Sequence, residues 1–169
     1  MTTEWYQFPV ISGLMITTIP ERHPFAANAI DDFFCQDWPY KELVIVNTTG
    51  IIFKKRLRLF EIPARKAPPG DLFDFGVLQC HGEWIADWQD DCHYAREYLR
   101  IIGRYKAKDR CVSLRTYTGM CLGDAASFNV VDEEGSFKLY FRTAPRPNFC
   151  TWVDRPELVT RFYASKVYI

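Results

Sequence analysis

The sequence predicts an α/β domain, a mostly parallel sheet with helices packed against it. Three observations carry that prediction: short apolar runs recur, segments of helical period stand between them, and turn residues close each run. The first run, Gly13-Leu14-Met15-Ile16-Thr17-Thr18, is closed by Pro20 and reads as a buried strand. Pro24 suits the first turn of a helix in which Phe25, Ala29, Ile30, Phe33 and Phe34 recur at helical spacing, with Asp31 and Asp32 outward. Pro39 ends it, and Leu43-Val44-Ile45-Val46 is a second buried strand that stops at the turn residues Asn47-Thr48-Thr49-Gly50.

Arg56 to Ile62 alternates polar and apolar residues and predicts a third strand with one wetter face. Asp71 can cap a helix that runs to about Cys80 and is stopped by His81-Gly82. Glu83 to Trp88 is the next strand, and His93 to Tyr105 reads as a helix. In the last third, Cys111 to Leu114 is a strand. Ser127 to Val131 and Ser136 to Arg142 flank the hairpin signal Asp132-Glu133-Glu134-Gly135. Asp154-Arg155-Pro156-Glu157 has the pattern of a capping box and predicts a final helix.

The chain has 169 residues, which suits one domain over 1–169 rather than two, and no linker marks a cut. A 48% apolar share excludes a disordered chain, and a net charge of zero gives no bulk attraction to nucleic acid or an anionic membrane. The N-terminus lacks a signal-peptide pattern, and no run approaches the roughly 20 apolar residues of a membrane span, so a cytoplasmic location is expected. The six cysteines form no Cys-x-x-Cys pair and read as reduced, mostly buried thiols. Cys80-His81 and Cys92-His93 stand in contexts unsuited to a structural zinc site.

The stretch Trp84-Ile85-Ala86-Asp87-Trp88-Gln89-Asp90-Asp91 carries the chemistry. An apolar strand ends in two adjacent carboxylates, which repel each other unless a cation lies between them. Capping of a following helix is the bland alternative. In an α/β sheet, ligands bind at the carboxyl ends of the strands, where Asn47 and this acid pair both fall.

Three segments occur in register: Leu14 to Phe25, Gln36 to Asn47, and Gly82 to Asp91. Together they resemble the family 2 glycosyltransferases, which have the Rossmann-like GT-A fold and use nucleotide-sugar donors. The resemblance covers residues 11–100, the nucleotide-sugar-binding half, and leaves 101–169 as a reduced acceptor half. The chain is short for that family. The resemblance implies an inverting, metal-dependent hexosyltransferase in which Mn²⁺ or Mg²⁺ neutralises the departing diphosphate. It implies Asp91 as the metal contact with Asp90 as its partner at a DXD-like motif, and His93 as a further reach toward the metal or diphosphate. Thr17, Arg22, Asn47, Thr48, Gln89 and Asp90 fall on donor-binding positions. Asn47 and Thr48 stand where the family has an Asp pair, and Gln89 where it often has an acid. Asp154 and Glu157 are the candidates for the base that deprotonates the acceptor.

A UDP-sugar is the donor the family implies, and the acceptor is left open. A small or open acceptor site follows, with a large acceptor or a second subunit of a homo-oligomer to complete it. One alternative keeps the chemistry and makes hydroxymethylated pyrimidines of DNA the acceptor, as in a phage protein acting in the host cytoplasm, with the basic run Phe53 to Arg58 on the backbone. Another is a non-catalytic nucleotide- or sugar-binding relative. Trp88 or Trp152 is the candidate for a sugar platform.

Overall fold

The computed structural model describes residues 10–105, 111–116, 119–122, 128–131, 135–141, 151–154 and 159–164; beyond residue 101 it describes backbone only. Strand β1 (Ile11–Thr17) leads through a 3-10 turn (Pro20–Arg22) into helix α1 (His23–Cys35). Strands β2 (Lys41–Asn47) and β3 (Leu59–Pro63) follow, then α2 (Pro69–Gln79) and β4 (Trp84–Asp87). After β5 (Cys92–Tyr94) and α3 (Tyr98–Tyr105) come β6 (Cys111–Thr116), β7 (Gly119–Leu122) and β8 (Phe128–Val131). The last strands are β9 (Gly135–Phe141), β10 (Thr151–Asp154) and β11 (Val159–Ala164).

Seven strands form the main sheet in the order β10-β6-β9-β4-β1-β2-β3, and β4, β1, β2 and β3 run parallel within it. Strands from both halves of the sequence thus share one sheet. The continuous apolar runs of β1 and β2 follow from burial on both faces. On one face α1 buries Ala26, Ala29, Ile30 and Phe33. Gly13 permits this approach, since a Cβ there would lie 2.4 Å from Phe33 Cε2. On the other face α2 packs over Leu14 and Val46 at Gly76, where a Cβ would meet Leu14 Cδ1 at 2.5 Å.

The amino edge of the sheet is fastened by Glu42. Its Oε1 accepts from Ser12 Oγ at 2.6 Å, from the His81 amide at 2.6 Å and from the Gly82 amide at 3.2 Å, and its Oε2 lies 3.2 Å from His81 Nδ1. This buried carboxylate joins β1, β2 and the turn before β4.

Several sequence expectations are corrected. The helix expected from His93 starts at Tyr98 instead; Cys92, His93 and Tyr94 form β5, buried, exposed and buried in turn, paired with β11. The final helix expected from Asp154 does not exist over 159–164. Asp154 ends β10, and Val159 to Ala164 is β11, because tertiary pairing and strand-favouring Val159, Thr160, Phe162 and Tyr163 override a local capping signal. The expected hairpin is split: β8 pairs with β7 in a second sheet (β5-β11-β7-β8), while β9 pairs with β4 and β6. Asp71 lies in the first turn of α2 rather than at its cap. Asp32 faces inward toward β5, not out to solvent. Among the described residues, no helix is long and apolar enough to cross a membrane.

Candidate functional site

The carboxyl edge of the parallel strands brings Thr17, Asn47, Pro63 and Asp87 together as strand ends. The Thr48 amide donates to the Thr17 carbonyl at 3.0 Å, so the exits of β1 and β2 are tied side by side. Both threonine hydroxyls, Thr17 Oγ1 and Thr48 Oγ1, are buried without a hydrogen-bond partner. Orphaned polar atoms are rare in folded proteins, and these two lie side by side where the chain leaves β1 and β2.

Beyond β4 the chain is anchored before it reaches the acids. The Trp88 amide donates to the Leu14 carbonyl at 3.0 Å, its indole Nε1 donates to the Ala29 carbonyl at 2.9 Å, and its ring stacks on Tyr94 at 3.6 Å. Trp88 is fully buried, which removes it as a sugar platform. The side chain of Trp152 lies outside the described residues. The Gln89 amide donates to Tyr94 Oη at 2.6 Å, and Asp90 and Asp91 then form the turn into β5. A strand follows the acid pair, so capping of an adjoining helix does not explain it.

Both acids are buried, and a cation does lie between them: Arg22 Nη1 is 3.3 Å from Asp90 Oδ1 and 3.2 Å from Asp91 Oδ2. Burial raises the Asp90 pKa above the ordinary aspartate value; Arg22 opposes that shift and Asp91 reinforces it. The Thr17 hydroxyl lies against Asp90 and favours its charged form, without the geometry of a full hydrogen bond.

Two carboxylate oxygens that converge on one positive atom are a fitting donor set for a hard divalent ion such as Mg²⁺ or Mn²⁺. Among the described residues no cluster of three or more His, Cys, Asp or Glu gathers. Among the described residues, the acid pair is the set that could contribute to such a shell, with substrate phosphates able to supply further oxygens. His93 is directed elsewhere: its Nδ1 lies 2.7 Å from Asp32 Oδ2.

Asn47 is consumed by its own turn. Its Nδ2 donates to the Ile51 carbonyl and to Glu61 Oε1, both at 2.6 Å, and its Oδ1 accepts from the Thr49 amide at 2.8 Å and the Thr49 hydroxyl at 2.7 Å. An amide has two donors and an acceptor with two lone pairs, so Asn47 has no capacity left for a nucleoside.

Strand directions place Asp154. β9 is antiparallel to β4, β6 is antiparallel to β9, and β10 is parallel to β6. β10 therefore runs with β4, and Asp154 sits on the same carboxyl edge as the acid pair. Three strand spacings, about 14 Å, separate β10 from β4. Glu157 lies outside the described residues.

Sequence reasoning passed over two cations at this edge. Arg65 and Lys66, both exposed, leave β3 where the Ala64 amide donates to the Asn47 carbonyl at 2.8 Å. Their signal was simple: cations directly after a strand that ends at the ligand-binding edge. A cavity of about 770 Å³ runs along the outer edge of β3, lined by Ile52, Phe60 and Leu78 among others; neither Arg22 nor Asp90 nor Asp91 lines it.

No protein-family model matches the sequence, and no curated protein matches it. Solved structures do. The chain is similar to the mannosyltransferase PcManGT from Pyrobaculum calidifontis, solved with GDP-Man and Mn²⁺, at a TM-score of 0.64 and 12% identity, over 96% of this chain and 59% of that one. It is also similar to S. aureus TarS 1–349, at a TM-score of 0.53 and 16% identity, over 69% of this chain and 38% of that one. TarS 1–349 with UDP-GlcNAc matches at 0.51 and 15%, over 69% and 36%. The chain thus spans 36% to 59% of the length of these proteins. The fold is a glycosyltransferase fold of the GT-A type.

Proposed function

We propose that this protein is a glycosyltransferase that moves a sugar from a nucleotide-sugar donor to an acceptor hydroxyl with inversion, using Mn²⁺ or Mg²⁺ at Asp90 and Asp91. The observation that carries the reading is the convergence of Asp90 Oδ1 and Asp91 Oδ2 on one cationic atom at the carboxyl end of β4. The nucleotide-sugars bound by proteins of the same fold support it: GDP-Man in PcManGT, which also holds Mn²⁺, and UDP-GlcNAc in TarS.

In this reading each residue has a task. Thr17 and Thr48 offer hydroxyls to the nucleoside, and Gln89 offers an amide to a donor hydroxyl. Arg22, with Arg65 and Lys66, offers cations to the diphosphate. A divalent ion at the acid pair would neutralise charge on the leaving diphosphate. Asp154, on the same sheet edge, takes the proton of the acceptor hydroxyl, or Glu157 does. The roughly 14 Å between β4 and β10 leaves room for a sugar and acceptor between diphosphate and base. Asn47 serves the turn rather than the ligand.

The test is turnover. Incubation with UDP-GlcNAc or GDP-Man and Mn²⁺ should release nucleoside diphosphate, slowly by hydrolysis and faster with a suitable acceptor. Release should stop on chelation and in Asp91→Asn. No metal-dependent release with any nucleotide-sugar would leave the non-catalytic relative as the better reading.

A DNA acceptor is the second reading, and the exposed Lys54, Lys55 and Arg58 favour it. Phe53 is buried and Arg56 is paired with Asp31, so those two do not contribute. Salt-sensitive retention on duplex DNA would support that acceptor, and retention lacking at low salt would count against it.

A further inference from the structure

Resting on the metal reading above, we infer that Arg22 is a built-in counter-ion that competes with the divalent ion for the Asp90–Asp91 pair and gives way to it only when a diphosphate takes up its guanidinium.

One nitrogen of Arg22 lies within hydrogen-bonding reach of both carboxylates, at 3.3 and 3.2 Å. A divalent ion would approach the same oxygens to about 2.1 Å. The two cations cannot share that space, both because they overlap and because they repel. Arg22 is the more exposed partner. The Arg22 side chain is 38% exposed, while those of Asp90 and Asp91 are 7% and 10% exposed. The chain that leads into the acids is anchored at Trp88, through its indole on the Ala29 carbonyl, and at Gln89, whose amide donates to the Tyr94 hydroxyl, whereas Arg22 reaches the acids from a three-residue 3-10 turn.

Displacing the guanidinium leaves its charge without a partner, and a planar guanidinium fork suits a diphosphate well. A nucleoside diphosphate therefore lowers the cost of releasing Arg22, and the ion and the diphosphate strengthen each other's binding through this residue. By linkage the coupling is the same whichever binds first. The device would partly neutralise the two acids between turnovers and would disfavour capture of an ion without donor.

Mn²⁺ binding followed by electron paramagnetic resonance, with and without UDP or GDP, tests this on wild type, Arg22→Gln, Arg22→Lys and Asp91→Asn. Arg22→Gln should bind Mn²⁺ alone several-fold more tightly than wild type and should lose most of the enhancement that the nucleotide confers. Arg22→Lys should fall between them. The wild-type protein provides an independent measurement. The Arg22 side-chain ¹⁵N resonances should shift on adding Mg²⁺ with diphosphate, so a variant that fails to fold does not decide the matter. Unchanged or weaker Mn²⁺ binding in Arg22→Gln, or unmoved Arg22 resonances, would overturn the inference while Asp91-dependent Mn²⁺ binding in wild type left the metal reading standing. No Mn²⁺ binding in any variant, with or without nucleotide, would overturn both.

Discussion

The Nδ2 of Asn47 donates to Glu61 Oε1 at 2.6 Å, joining the exit of β2 to the middle of β3. The relationship accounts for a departure from the resembled family, which carries an acid where this chain has Asn47. A carboxylate at 47 would face the Glu61 carboxylate and the Ile51 carbonyl with no proton to offer either. Asn47→Asp should therefore destabilise by about 2–3 kcal/mol at neutral pH. Adding Glu61→Gln should restore about 1–2 kcal/mol of that, read as non-additivity in denaturant unfolding. Simple additivity would show that the pair is not coupled.

Trp88 sets the height at which the acids emerge. Trp88→Phe removes the indole donor to the Ala29 carbonyl and leaves a void beside Tyr94 and Phe33. The expected loss is about 2 kcal/mol or more, seen as a lower unfolding midpoint. Metal-dependent binding should weaken beyond that loss, since the turn at 90–91 loses its support.

Gly13 is a packing position. A methyl at 13 would press on Phe33 of α1, which is fully buried against the sheet. Gly13→Ala should cost about 1–3 kcal/mol in thermal or chemical unfolding. A neutral result would mean that α1 can lift off β1 without penalty.

The protonation of Asp90 gives a pH signature. Burial, the largest cause, raises its pKa above the ordinary aspartate value, and Arg22 opposes the rise. Carboxyl ¹³C titration should place the Asp90 midpoint above that value, and Arg22→Gln should move it higher still. The folded state then holds this proton more tightly than the unfolded chain does. Its contribution to stability accordingly declines as pH rises from the ordinary value through the raised one. A midpoint at or below the ordinary value would contradict the burial argument.

The parts legible in sequence and the parts hidden from it divide on physical lines. β1, β2 and β4 could be read because strands buried on both faces are short, nearly continuous apolar runs, and α1 because its apolar residues keep a helical period. The acid pair was legible because two adjacent carboxylates end such a run. The cation between them was not: Arg22 and Asp90 are 68 residues apart, and only the parallel pairing of β1 with β4 brings them together. The strands β6, β8 and β9 were legible as β-rich runs, but the segment after Asp154 was misread as a helix because the capping pattern at Asp154–Glu157 is local, whereas β10 and β11 pair with strands far away in sequence. Asn47 reads equally well as turn former or ligand contact until Glu61 is seen beside it.

If Asp90 and Asp91 hold a divalent ion against a nucleoside diphosphate, nucleotide binding depends on both the ion and the acids. Thermal shift with UDP and GDP, with and without Mn²⁺, on wild type and Asp91→Asn tests it most directly. One of the nucleotides should stabilise the protein only when Mn²⁺ is present, by about 2.7 kcal/mol at a hundredfold excess over Kd, and the effect should be lost in Asp91→Asn. Nucleotide binding that ignores both Mn²⁺ and Asp91, or no binding at all, would contradict it.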